Sequence, residues 1–187
     1  MKVCIDPGHG MSNKQWGIYD PGAVHVENGF KFQEADIALR YALGVKDALR
    51  ARQVDVFMTR DDATDHAPVG ARAAGAKKAG CELFLSIHLN DVESDLANGL
   101  EMLYRDTEDK VLAERLLAAL LPITGIRTRG VKKRTDLAVL KFDGPVALIE
   151  LGFIGNDHDR GRLLDPQVRD SACRAIAETI IGYLKKS

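Results

Sequence analysis

The chain has 187 residues, 45% of them hydrophobic and 28% charged, the balance of a globular protein long enough to bury a sizeable core. Its formal net charge of -1 excludes a global field that would draw it to nucleic acid or an anionic membrane, so any charged partner must be recognised locally. No apolar run approaches the roughly 20 residues of a membrane span. The three widely spaced cysteines, Cys4, Cys81 and Cys173, read as buried free thiols rather than a disulfide framework or a structural zinc knuckle.

The chain enters a strand at once, at Val3-Cys4-Ile5. No charged segment followed by an apolar one precedes it, so no signal peptide is visible. Asp6-Pro7-Gly8-His9-Gly10 then stops the strand, because proline lacks a donor and glycine permits unusual backbone shapes. A helix follows over about residues 32–51. Val54–Thr59 is the second strand, residues from about 69 to 79 an Ala-rich helix, and Leu83–Ile87 a third strand, apolar enough to be covered on both faces. Leu100–Tyr104 alternates as a fourth strand, and residues from about 107 to 121 form a helix. Leu137–Leu140 and Val146–Ile149 complete the strands. The last helix runs from about 166 to 185, with Val168, Ala172, Ile176, Ile180 and Tyr183 on one stripe. Strands alternating with helices predict an α/β sheet with helices on both faces, and a site beyond the carboxyl ends of the strands. Without repeat, low-complexity stretch or linker, residues 1–187 read as one domain.

Of five histidines, His9 and His88 end predicted strands of one sheet and can converge. Glu34 heads the apolar stripe of the first helix, with Ile37, Ala38, Tyr41 and Val45 at i+3, i+4, i+7 and i+11. An inward carboxylate needs a cation, which a metal or an arginine such as Arg60 or Arg72 would supply. Glu150 ends the strand Val146–Ile149 ahead of a glycine turn. Partial desolvation there raises a carboxyl pKa toward the range of a general base, unless a basic side chain pairs with it. Two histidines, one glutamate and a water form the open coordination of catalytic zinc, here assembled from distant segments because no HExxH is present.

Taken together the residues resemble the zinc-dependent N-acetylmuramoyl-L-alanine amidases whose opening motif is DPGHGG. The resemblance rests on Asp6–Gly10, Asp20-Pro21-Gly22-Ala23, Glu34, Thr59–Asp62, Arg72, Ser86–Asn90 and Glu150–Asn156, in family order and over nearly the whole chain. It implies a six-stranded sheet, His9, Glu34 and His88 as zinc ligands, and Glu150 as the catalytic glutamate. It implies hydrolysis of the amide between N-acetylmuramic acid and L-alanine in peptidoglycan. Met11 in place of the second glycine and Leu89 in place of a small residue reshape the groove without removing a ligand. The short stretch after His88 leaves no room for an autoinhibitory insert, so an open site is expected. A catalytic domain without a separate cell-wall-binding module suits an endolysin or autolysin. It would be cytoplasmic until release to the wall, or a mature secreted form, and act as a monomer. The alternatives are a zinc peptidase acting on stem peptides and a non-catalytic wall-binding module; the general base Glu150 argues against the second.

Other features have two readings each. Arg127–Arg134 carries five basic residues in eight, as a solvated loop or as a rim for stem-peptide carboxylates. Arg129 and Lys132 are the candidate contacts on that rim, joined by Asn90 after His88 and by His25 ahead of the first helix. Trp16 and Tyr19 form either a groove wall or ordinary packing. His66 and Asp157-His158-Asp159 are expected to be exposed, with Asn156 as a cap.

Overall fold

The computed structural model describes residues 1–92 and 96–185. In chain order its elements are β1 (Lys2–Pro7), β2 (Gly10–Met11), β3 (Tyr19–Asp20), β4 (Val24–Glu27), β5 (Phe30–Gln33), α1 (Glu34–Arg50), β6 (Asp55–Met58), α2 (Val69–Lys78), β7 (Leu83–Asn90), β8 (Leu100–Tyr104), α3 (Thr107–Thr124), β9 (Thr128–Lys133), a 3-10 turn over Ala138–Lys141, β10 (Val146–Phe153), α4 (Asp157–Leu164) and α5 (Pro166–Leu184). Six strands form one sheet in the order β6-β1-β7-β10-β8-β9, parallel except between β10 and β8. The small ribbons β2–β3 and β4–β5 carry the chain from the end of β1 to the start of α1.

The sheet is covered unequally. On one face Tyr41, Val45 and Leu49 of α1 and Leu112 and Leu116 of α3 form one cluster with Ile5, Leu85, Ile87 and Ile149, which Ile176 and Ile180 of α5 join by packing against α1 and α3. On the other, Ala76 of α2, Leu140 of the 3-10 turn and Phe142 just after it cover Cys4, Phe84, Leu103 and Leu148. The central strands β1, β7 and β10 are therefore buried on both sides, which is why they read as near-continuous apolar runs. All three cysteines are buried and free, as expected. No helix among the described residues is long and apolar enough to cross a membrane.

Two readings need correction. Leu137–Leu140 is not a strand; Ala138–Lys141 is a 3-10 turn that sets Val139 and Leu140 against the second face. A four-residue apolar run fits a buried turn as well as a strand, so periodicity could not separate them. The sixth strand is instead the basic segment, β9, which pairs with β8 on one side only. Lysines and arginines are what an exposed edge carries to deter pairing with other chains, and they hid the strand.

The short helix α4 also escaped prediction, because its first six residues are charged or polar apart from Gly161 and only Leu163 and Leu164 are apolar. Asn156 caps it, its Oδ1 accepting from the Asp159 N–H at 3.1 Å. Asp159 is buried, not exposed: its carboxylate accepts from the backbone of Gly99 at 2.7 Å and of Phe153 at 3.1 Å, tying α4 to the ends of β8 and β10. The expectation of an open site rests on the stretch between β7 and β8, where residues 93–95 lie outside the described residues.

Candidate metal centre and active site

The site begins with the turn that ends β1. Asp6 is fully buried and accepts hydrogen bonds from Thr59 Oγ1 at 2.5 Å, Ser86 Oγ at 2.6 Å and Arg72 Nη1 at 2.8 Å. Burial alone would raise its carboxyl pKa, but Arg72 and the two hydroxyls more than offset that and hold it below the ordinary range. Arg72 also donates to the carbonyls of Pro7 at 2.9 Å and His9 at 2.7 Å. Arg60 donates to those of Gly8 and Ala35, each at 2.8 Å. Two buried guanidiniums thus hold the Asp-Pro-Gly-His turn, so neither is the partner of Glu34.

What the turn presents is His9, in a left-handed backbone conformation with φ of 60°. A non-glycine residue is rarely held there unless its surroundings over-determine it. Its Nε2 lies 3.0 Å from Glu34 Oε1, and its Nδ1 lies 3.0 Å from Asp20 Oδ2. Asp20 is itself fixed by Asn13 Nδ2 at 2.7 Å and the Gly22 N–H at 3.1 Å. A carboxylate on Nδ1 puts the proton there and leaves Nε2 free as a ligand. Burial by itself would lower the His9 pKa, but Glu34 and Asp20 reverse this and raise it.

Glu34 sits at the head of α1, only 3% exposed. Its Oε2 accepts from the Ala23 N–H at 2.8 Å, and its Oε1 from the Leu89 N–H at 3.0 Å. The same Oε1 lies 2.8 Å from Nδ1 of His88, which comes from the carboxyl end of β7. Burial would push the Glu34 carboxyl up, but the two histidines hold it well below its ordinary range. His9, Glu34 and His88 each offer one ligand atom, all within 4.8 Å of one another. Two imidazole nitrogens and one carboxylate oxygen converging in a buried corner fit a divalent metal of zinc's preferences. Asp61, Asp62 and Asp65 also cluster, but at the surface, where the Asp62 carboxylate accepts from the backbone of Thr64 and Asp65 in a turn.

The motif glycines make room for these ligands. A Cβ at Gly8 would fall 2.3–2.5 Å from the ring of His88. One at Gly22 would meet Glu34 Oε2 at 2.5 Å and His9 Cδ2 at 2.6 Å. Gly8→Ala must therefore displace the His88 ring, and should weaken affinity for a divalent metal about 10- to 100-fold in a calorimetric titration.

Glu150 lies on β10, in register with His88 of β7 on one side and Glu101 of β8 on the other. Its Oε2 is buried without a hydrogen-bond partner. Burial, with the Glu34 and Glu101 carboxylates adding to it, raises its pKa well above the ordinary value. No basic side chain among the described residues pairs with it. Arg129 and Lys132 are bound instead to Glu101, the arginine through Nε at 2.9 Å, and Arg134 is bound to Asp136 at 2.7 Å. The structure thus brings His9, Glu34, His88 and Glu150 together at one end of the sheet.

Residues 3–182 match the family model described as N-acetylmuramoyl-L-alanine amidase. The chain belongs to this amidase family. It is 30% identical over 197 residues to the germination-specific N-acetylmuramoyl-L-alanine amidase of Bacillus subtilis, covering 97% of this chain and 78% of that protein. It is 31% identical to the amidase LytC of the same organism, covering 98% of this chain but only 35% of LytC. Among solved structures, the catalytic domain of the amidase CwlV from Bacillus (Paenibacillus) polymyxa superposes with a TM-score of 0.87 at 28% identity, over 100% of this chain and 99% of that one.

Other candidates stand around this amidase site. Arg129 and Lys132 lie on β9 beyond Glu101, with side chains 30% and 44% exposed. Asn90 ends β7, half-buried, its carbonyl accepting from the Ile154 N–H at 3.1 Å. His25 is on the β4–β5 ribbon opposite Phe32, two residues past the Ala23 that touches Glu34. The residue that sequence reasoning missed is Glu101, buried beside Glu150. The signal was present: it is the one charged side chain in the otherwise apolar Leu100–Tyr104.

Proposed function

We propose that the chain hydrolyses the amide between the lactyl group of N-acetylmuramic acid and L-alanine in peptidoglycan, with zinc held by His9, Glu34 and His88. The observation that carries this is Glu150, a half-buried side chain whose Oε2 is buried without a hydrogen-bond partner, set one strand away from His88. A binding module would leave such a group at a cost in stability for nothing, whereas a general base requires it. When bound, the metal would polarise the lactyl carbonyl and acidify an attacking water.

Glu150 takes a proton from the water as the water oxygen bonds to the lactyl carbon. It returns that proton to the alanine nitrogen as the carbon–nitrogen bond breaks, leaving a lactyl carboxylate and a free amine. Asp20 holds the His9 ring, and the Leu89 and Ala23 N–H groups hold Glu34, so the ligands need little reordering. Arg129 and Lys132, with Asn90, stand on the leaving-group side, where cations suit the carboxylates of a stem peptide; His25 lies on the opposite ribbon. All four central residues come from one chain, so a monomer suffices. The reaction belongs at the cell wall, in the setting of an endolysin or autolysin, after release from the cytoplasm or secretion.

Digestion of purified peptidoglycan tests the reading. With new amino groups labelled and fragments weighed, L-alanine should be the new N-terminus on intact stem peptides. New amines within the peptide would make the protein a peptidase.

A further inference from the structure

We propose that Trp16 is a sugar-binding plate that takes a pyranose ring of the glycan strand next to the muramyl residue under attack. The proposal rests on the amidase reading and adds to it the direction in which substrate crosses the site.

Trp16 lies at the tip of the hairpin formed by β2 and β3. The base of that hairpin is the metal corner: β2 starts one residue after His9, and β3 ends at Asp20, which holds His9 Nδ1. The indole is 72% exposed, yet it is not loose. One face stacks on the His66 ring, with centroids 4.2 Å apart and planes 14° from parallel. His66 Nδ1 is 2.6 Å from Ser12 Oγ, which also accepts from the Gly17 N–H at 2.8 Å. Backbone bonds from Ala67 to Met11 at 3.1 Å and from Val69 to Asn13 at 3.0 Å pin the hairpin to the segment ahead of α2. The result is a rigid aromatic plate with its second face in water. A large apolar surface kept exposed in this way marks a binding site, and a braced ring loses little entropy when it is covered.

Tyr19, considered with it as a possible groove wall, is engaged differently: its hydroxyl donates to Asp36 at 2.8 Å. Of the two, Trp16 offers the open face.

The position says which part of the substrate it meets. The scissile amide has sugar on its carbonyl side and peptide on its nitrogen side. Glu150, which returns the proton to the nitrogen, lies on β10, and beyond it come β8 and the cationic edge β9. The peptide therefore runs toward β9. The sugar runs the other way, past His9 at the end of β1, toward the hairpin pinned near β6. A pyranose has an apolar face of C–H groups and a rim of hydroxyls. The indole matches the face, and the exposed Gln15 beside it matches the rim, while Lys14 Nζ lies 3.3 Å from Asp20 Oδ2, the atom that holds His9 Nδ1.

Trp16 is the only tryptophan in the chain, so its fluorescence reports on this plate alone. The probe is the peptide-free tetrasaccharide of alternating N-acetylglucosamine and N-acetylmuramic acid, with free stem peptide as control. A saturable change with the tetrasaccharide and none with the peptide is expected. In parallel, Trp16→Ala should cut the preference for long glycan strands over a monomeric muramyl peptide about tenfold, through KM, and Trp16→Phe should restore most of it. No fluorescence response, together with an unaltered preference in Trp16→Ala, would overturn the plate while leaving the amidase reading intact. A response in a protein that releases no L-alanine amine would keep the plate and overturn the amidase reading. A change that follows protein concentration rather than sugar would assign the exposed indole to self-association and overturn the proposal.

Discussion

Glu150→Gln should lower turnover on peptidoglycan about 10²- to 10⁴-fold while zinc still binds, since the change removes the proton carrier and leaves the three ligands in place. Steady-state rates and a zinc titration of the same preparation check this. A second outcome separates a functional glutamate from a structural one. Glu150 is half-buried, with its Oε2 buried and unpartnered, and its pKa in the folded protein is raised. A group whose pKa is higher folded than unfolded binds more protons in the folded state, so its contribution to stability is lost as pH rises through that window. The metal-free Glu150→Gln protein should thus melt at or above the wild-type temperature at neutral pH, and the gap should narrow toward pH 4. Loss of activity with no loss of stability is the mark of a residue kept for chemistry. A marked fall in melting temperature would make Glu150 a structural residue.

His88→Ala should abolish turnover and, with it, the stabilisation that metal confers. In the wild-type protein, saturating zinc at about a thousand times its Kd should add about 4 kcal/mol, which corresponds to a rise of about 10 °C in Tm for a chain of this size. His88 is one of the three proposed ligands, and its removal leaves Glu34 Oε1 with His9 and the Leu89 N–H as its partners. Removing the exposed His158, 63% accessible and remote from the triad by sequence, should leave the zinc-dependent rise intact. Scanning calorimetry with and without zinc checks both. A full zinc response in His88→Ala would place the metal elsewhere.

The architecture was legible where burial imposes a pattern. The runs around Ile5, Leu85 and Ile149 are apolar because both sheet faces are covered, and the stripe from Ile37 to Val45 marks the face of α1 that packs inward. The four central site residues were legible for the opposite reason: a histidine or glutamate at the end of an apolar strand or the head of an apolar stripe breaks the pattern. The edge was not legible. β9 pairs on one side only, so its side chains carry charge rather than alternation, and Leu137–Leu140 imitated the strand that was sought. The contacts of Arg129 with Glu101 and of Gly99 with Asp159 span 28 and 60 positions of sequence, which periodicity does not register.

The most direct test is anomalous scattering at the zinc edge from a crystal of this chain equilibrated with zinc. One strong peak enclosed by His9, Glu34 and His88, next to Glu150, is the result this account predicts. A peak only at the surface carboxylates Asp61, Asp62 and Asp65, or none at all, would contradict it.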